Sequence, residues 1–199
     1  MRKVFTIIIT TENDMRIITG RARGIKLDTL PGELTRPTSE RSKEAIFSML
    51  QFDIADSAVL DLFAGSGQMG LEAASRGARA VHLVERDRSA YEIVSKNLKK
   101  CRLEDVCTAY REEALTFLKR HNGEKYDIVF LDPPYATDLI NEALEILFER
   151  EFLNDGAYVV CESDRADVLN ERNAQSFKLV KTLKHGIAHI SVLTPGREE

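Results

Sequence analysis

The chain has 199 residues, 43% hydrophobic and 30% charged, a balance that fits one globular domain with a substantial core. Its net charge of −4 argues against a protein that coats nucleic acid by bulk electrostatics, and its apolar runs, such as 7–9 and 157–161, fall short of the roughly 20 residues of a membrane span. Three cysteines, Cys101, Cys107 and Cys161, odd in number and without a Cys-x-x-Cys pair, read as reduced thiols of a cytoplasmic protein, not as a disulfide framework or a zinc site.

Residues 1–14 open basic and then apolar, but the apolar stretch is too short for a secretory signal and no small-residue cleavage site follows; they read as an extension. From Met15 to Leu27 there are four basic residues, Arg16, Arg21, Arg23 and Lys26, and no acidic one. Arg36, Arg41 and Lys43 follow, so a basic face is expected near the N-terminus. The same stretch reads as a short strand pair turning at Gly20 or Gly24. A loop marked by Pro31, Gly32 and Pro37 then leads to a helix over 39–50, begun by Thr38 or Ser39.

From residue 57 the pattern alternates short β-rich apolar runs with longer amphipathic stretches, the signature of βαβ units and a parallel sheet. Strands are predicted over 58–63, 80–85, 106–110, 126–132 and 156–162. Helices are predicted over 69–76, 89–101, 112–120 and 138–150, where Leu139, Ala143, Leu144, Ile146 and Leu147 share one face. Two further β-like runs, 177–183 and 187–193, flank a turn at His185 and Gly186 and would add an antiparallel hairpin at the edge. The expected organisation is an extension (1–14), a hairpin and helix (15–52) and an α/β core (53–199).

The run Val59-Leu60-Asp61-Leu62-Phe63-Ala64-Gly65-Ser66-Gly67-Gln68-Met69-Gly70 is an apolar strand entering a glycine-rich turn and then a helix, where a ligand can approach the backbone closely. Glu85 ends the second strand, where a carboxylate can accept from both hydroxyls of a ribose, so an adenosine cofactor is implied. Gly-x-Gly-x-x-Gly also marks dinucleotide sites. There the helix N-terminus holds a pyrophosphate, and Asp61 would set negative charge beside that anion. Asp61 suits S-adenosylmethionine, whose amino group and sulfonium are positive. Asp61, Phe63, Ala64, Gly65, Ser66, Gly67, Glu85 and Arg86 are the cofactor-site candidates, with no metal expected.

At the end of the fourth predicted strand stands Asp132-Pro133-Pro134-Tyr135, where ligands of open α/β sheets bind. An exocyclic amine of a nucleic-acid base is a poor nucleophile, because its lone pair is delocalised into the ring. The Asp132 carboxylate and a backbone carbonyl, that of Pro133, can accept from its two N–H groups and localise that pair, while the prolines stiffen the loop. Tyr135 can stack on the base. These four are the candidate catalytic residues.

With these residues in hand the sequence resembles the RsmD family of 16S rRNA guanine-N2 methyltransferases. The likeness runs from Met15 to about Leu193. Its specific blocks are Met15-Arg16-Ile17-Ile18-Thr19-Gly20 with 24–27, Thr35-Arg36-Pro37-Thr38-Ser39-Glu40-Arg41 leading into Lys43-Glu44-Ala45-Ile46-Phe47, the glycine turn with Ser75-Arg76-Gly77-Ala78, and the Asp132 loop. The resemblance implies a class I methyltransferase fold, Rossmann-like with a seven-stranded mostly parallel sheet and an antiparallel C-terminal hairpin, plus an N-terminal hairpin and helix that help hold RNA.

It further implies S-adenosylmethionine as cofactor and guanine 966 of 16S rRNA in the small ribosomal subunit as target. Glu113 would lie next to the adenine, Arg36 and Thr38 beside the substrate pocket, and Arg21, Arg23 and Lys26 on phosphates. Lys184-His185-Gly186 departs from the family's usual basic residue, Tyr and Gly. Two other classes compete: a DNA adenine-N6 methyltransferase, for which only about fifty residues ahead of the core leave little room for a target-recognition region, and a non-catalytic RNA-binding assembly factor. His185 and His189 are four apart but have no third ligand in sequence and read as edge-strand residues.

Overall fold

A strand buried on both faces reads as an unbroken apolar run, and β1 (Ala58–Asp61) is buried at all four positions. It sits in the middle of a seven-stranded sheet of order β3-β2-β1-β4-β5-β7-β6, in a computed structural model that describes residues 15–30, 40–135 and 137–196, apart from the side chains of Glu40 and His185. The extension 1–14, the loop of Pro31, Gly32 and Pro37, and the positions of Arg36, Thr38 and Ser39 lie outside the described residues.

The other strands are β2 (Ala80–Val84), β3 (Cys107–Tyr110), β4 (Tyr126–Leu131), β5 (Leu153–Ser163), β6 (Phe177–His185) and β7 (Ala188–Pro195). β1 to β5 pair in parallel, and β7 runs antiparallel between β5 and β6. Five of these match the predicted strands closely. β5 starts earlier than expected, because Leu153 pairs with Tyr126 ahead of a register shift. The chain leaves β1 outward to β2 and β3 and returns to β4 on the other side, so the ordering reverses at β1/β4, where such sheets bind ligands.

Helices cover both faces. One core cluster joins the sheet to α1 (Glu40–Met49), α2 (Gln68–Ser75) and α3 (Arg88–Cys101); the other joins it to α4 (Ala114–Arg120) and α5 (Leu139–Glu149). A one-turn helix, α6 (Asn173–Ser176), has no periodicity to announce it. All three cysteines are free and buried, and burial pushes the Cys107 thiol up to about 12. Among the described residues no helix is long and apolar enough to cross a membrane.

The predicted N-terminal strand pair is reduced to a single antiparallel bridge, Arg16 to Lys26. Ile17 N–H donates to the Ile25 carbonyl at 3.0 Å and Leu27 N–H to the Met15 carbonyl at 2.7 Å within the pair, while the turn is held from outside: Ile18 and Thr19 N–H donate to the Glu72 carboxylate at 2.7 and 3.0 Å, and Ala22 N–H donates to Ser75 Oγ at 3.0 Å. Gly20, at φ +89°, lies so close to α2 that a Cβ would stand 1.8 Å from the Ser75 carbonyl oxygen. Glu72 is fully buried and also meets Arg76 Nε at 2.8 Å and Lys43 Nζ at 3.6 Å. Residues 15–30 are thus clamped onto the helix that follows the glycine turn.

Candidate active site

The C-terminal ends of β1, β2, β4 and β5 open into one cavity of about 560 Å³. β1 delivers Asp61 to its floor and then the turn 62–67. Ala64 N–H is held by the Val84 carbonyl at 2.9 Å, and Gly67 N–H closes the turn on the Ala64 carbonyl at 2.6 Å. Phe63, Ala64, Gly65 and Ser66 line the cavity. Gly65, at φ +53°, has open space where a Cβ would stand, whereas Gly67, at φ +82°, would aim one at Leu83 and Leu71. Gly65 therefore serves close approach of a ligand, while Gly67 serves the turn and is not among the lining residues.

Asp61, Glu85 and Glu113 are among the carboxylates that line the cofactor end. Asp61 is 4% exposed and accepts from Gly70 N–H at 2.9 Å; burial, assisted by the Glu85 charge, pushes its carboxyl up to about 7. Glu85, at the mouth of β2, accepts from Gly65 N–H at 2.9 Å and Asp87 N–H at 2.7 Å, which orients its carboxylate over the turn. Arg86 follows it on the rim. Glu113 caps α4 by accepting from Leu115 and Thr116 N–H at 3.1 and 2.8 Å. Burial opposes its ionisation, but those backbone donors prevail and hold its carboxyl below the usual range. A capping role for Glu113 was not read from the sequence, because Glu is an unusual N-cap.

These acceptors and walls fit an adenosine-bearing cation. A buried carboxylate poised near neutrality favours a positive group, an oriented carboxylate at a strand end suits vicinal hydroxyls, and Leu62, Phe63, Ala64 and Ala114 supply apolar wall.

Asp132, Pro133, Pro134 and Tyr135 line the same cavity. Asp132 is exposed, Pro133 buried and Tyr135 half-buried, and Thr137 Oγ1 donates to the Pro134 carbonyl at 2.8 Å, which pins the loop as it enters α5. The structure therefore brings the predicted catalytic loop and the predicted cofactor turn into one continuous space.

Several lining residues escaped the sequence reading. Met15, Thr29 and Leu30 come from the N-terminal segment, and Glu162 from the end of β5. Asn97, fully buried on α3, donates from Nδ2 to the Ser66 and Asp28 carbonyls, both at 2.9 Å, and accepts from Asp28 N–H at 2.8 Å. It ties the cofactor turn to the N-terminal wall across about seventy residues of sequence, a contact no local pattern encodes.

The predicted phosphate-contacting residues are not among those lining the cavity. Arg21 is engaged by Asp105 through two hydrogen bonds, at 2.8 and 2.6 Å, and that partner raises its pKa. Arg23 and Lys26 are exposed; Arg36 and Thr38 lie outside the described residues.

A family model described as "Conserved hypothetical protein 95" matches residues 15–194. Ribosomal RNA small subunit methyltransferase D of Haemophilus influenzae is 38% identical over 168 residues, covering 83% of this chain and 86% of that protein. The Escherichia coli K12 protein of the same name is 37% identical over 150 residues, 75% of each. A solved Escherichia coli methyltransferase structure superposes with a TM-score of 0.81 at 32% identity, over 93% of this chain and 99% of the other. With the strand order, the glycine turn and the Asp132 loop on one cavity, these likenesses identify the chain as a methyltransferase belonging to the RsmD family.

Proposed function

We propose that the protein transfers a methyl group from S-adenosylmethionine to the exocyclic N2 of a guanine in 16S rRNA, with guanine 966 as the position that the family resemblance implies. The observation that carries this reading is the shared cavity: Gly65 and Glu85 line one end, the Asp132 to Tyr135 loop the other, with Asp61 between. The names of the relatives from Haemophilus influenzae and Escherichia coli support ribosomal RNA of the small subunit as substrate.

When bound, S-adenosylmethionine supplies an electrophilic methyl on a sulfonium. The chain's own residues do the rest. Glu85 accepts from ribose hydroxyls, the Asp61 carboxylate balances the positive charge of the amino-acid end, and Gly65 lets the backbone approach. Asp132 and the Pro133 carbonyl accept from the two amine N–H groups and localise the lone pair on nitrogen. Tyr135 stacks on the guanine and holds it out of its RNA stack. The amine proton turns acidic as nitrogen gains its new bond, and Asp132 is the acceptor in place to take it.

The acidic net charge favours a target presented by folded RNA and ribosomal proteins over naked RNA. Transfer of labelled methyl should be compared between small subunits from cells lacking the activity, deproteinised 16S rRNA and duplex DNA. The expected order is subunits first and DNA not at all; preference for DNA would overturn the nucleic-acid assignment, and preference for bare RNA the assembled-substrate one.

A further inference from the structure

We infer that the β6–β7 hairpin is an RNA-docking surface that grips the strand flanking the target nucleotide; this rests on the reading of the substrate as RNA given above. Between Glu171 and Glu198 the sequence holds no acidic residue, although the whole chain is net acidic. Within that stretch Lys178, Lys181 and Lys184 are exposed on β6, the edge strand.

Several cations elsewhere on the described surface are matched by carboxylates. Lys96 and Lys100 pair with Asp28, Arg88 with Glu92, Arg120 with Glu112 and Arg172 with Glu149. None of the three β6 lysines enters an ion pair among the described residues. By register Lys178 and Lys181 share one sheet face, opposite Thr194 and Val192, while Lys184, opposite His189, lies on the other; an acid-free edge that carries cations on both of its faces presents an anion-binding strip to a phosphate backbone that wraps the edge.

The strip leads to the active site. β5 runs parallel to β4, so Ser163 ends beside the Asp132 loop, and Ser163 pairs with His189 at the start of β7. Gly186 and Ile187, which join the two hairpin strands, therefore project past the end of the sheet beside the cavity mouth, where Glu162 already forms wall. Ile187 is 67% exposed there, an apolar tip placed to meet a sugar or base face. Lys181 stands opposite Val192 and so shares the sheet face of Val192 and Ile190, the face on which α1 packs.

Lysines on an edge strand also discourage strand-to-strand aggregation. That role would be met equally by acidic side chains and asks nothing of Ile187, so the two readings separate by experiment. The triple variant Lys178→Gln, Lys181→Gln, Lys184→Gln and the single variant Ile187→Ser should be compared with wild type for methylation of small subunits across a salt series, with calorimetry of S-adenosylmethionine binding and sedimentation velocity alongside.

The triple variant is expected to raise the KM for subunits about tenfold or more and to flatten its logarithmic salt dependence by about two, since each phosphate contact contributes roughly 0.7 to 0.9. Ile187→Ser is expected to raise KM several-fold without changing the salt slope. Cofactor affinity and the sedimentation coefficient are expected to stay as in wild type. Unchanged KM and salt slope in a triple variant that sediments like wild type would overturn the docking surface, as would aggregation of that variant with normal KM in its unaggregated fraction. Failure of the wild-type protein to methylate subunits at all would instead strike the substrate assignment.

Discussion

Asp61 and Gly70 close the cofactor turn from below: the carboxylate at the end of β1 takes the Gly70 N–H at 2.9 Å while almost wholly buried, and burial pushes its pKa up to about 7. The sign follows directly. Between an unfolded value near 3.9 and about 7 the folded protein holds a proton that the unfolded chain has lost, so ligand-free stability falls as pH rises through that window. A cationic ligand favours the charged carboxylate and expels the proton, so S-adenosylmethionine affinity is expected to climb by about tenfold from pH 6 to pH 8. Calorimetry in buffers of differing ionisation enthalpy checks both the climb and the proton release. In Asp61→Asn the pH dependence should vanish.

In the proposed mechanism Asp132 acts on the amine and not on the cofactor. Asp132→Ala is expected to lower single-turnover methyl transfer by about 10²–10³-fold, the scale of losing a preorganised polar group at a reacting centre, with cofactor affinity within about twofold of wild type. Collapse of cofactor binding in that variant would mean the two ends of the cavity are divided wrongly.

Glu85 is held over the turn by the N–H groups of Gly65 and Asp87. Glu85→Ala removes a charged acceptor and is expected to weaken S-adenosylmethionine binding by about 1–3 kcal/mol, read by calorimetry. Unchanged affinity would place the ribose partner elsewhere.

Glu72 is the anchor of the N-terminal wall. Replacing it with Ala strands Lys43, 1% exposed, and Arg76 without their buried partner and orphans the Ile18 and Thr19 N–H groups. The expected loss is about 3–5 kcal/mol of unfolding free energy in urea. Because Met15, Thr29 and Leu30 line the cavity, cofactor affinity should fall as well, although Glu72 itself is not among the lining residues.

How much of this was legible follows from the range of each interaction. The strands β1, β2 and β4 announce themselves by short β-rich runs such as Ile128-Val129-Phe130-Leu131, buried at every position, and α3 and α5 because their apolar residues recur at helical spacing. The glycine turn and the Asp132 loop are local patterns too, and both line the predicted cavity. The N-terminal strand pair was legible but is reduced to one bridge, Arg16 to Lys26, and its anchoring to Glu72 and Ser75 was not, because those partners lie more than fifty residues away. Asn97 was missed for the same reason, its partners Asp28 and Ser66 lying far away in sequence. The phosphate role of Arg21 came from the family resemblance, and its ion pair with Asp105, eighty-four residues away, was not legible in the sequence. The capping role of Glu113 went unread for a different reason, an uncommon residue at a common position.

The central claim is that one cavity joins a methyl donor to a guanine amine. Small subunits from cells lacking the activity should be methylated with labelled S-adenosylmethionine, the RNA digested with nuclease and the labelled nucleoside identified and mapped by mass spectrometry. The account predicts N2-methylguanine at a single 16S position. Label on an adenine amine, or none on RNA while duplex DNA is methylated, would contradict it.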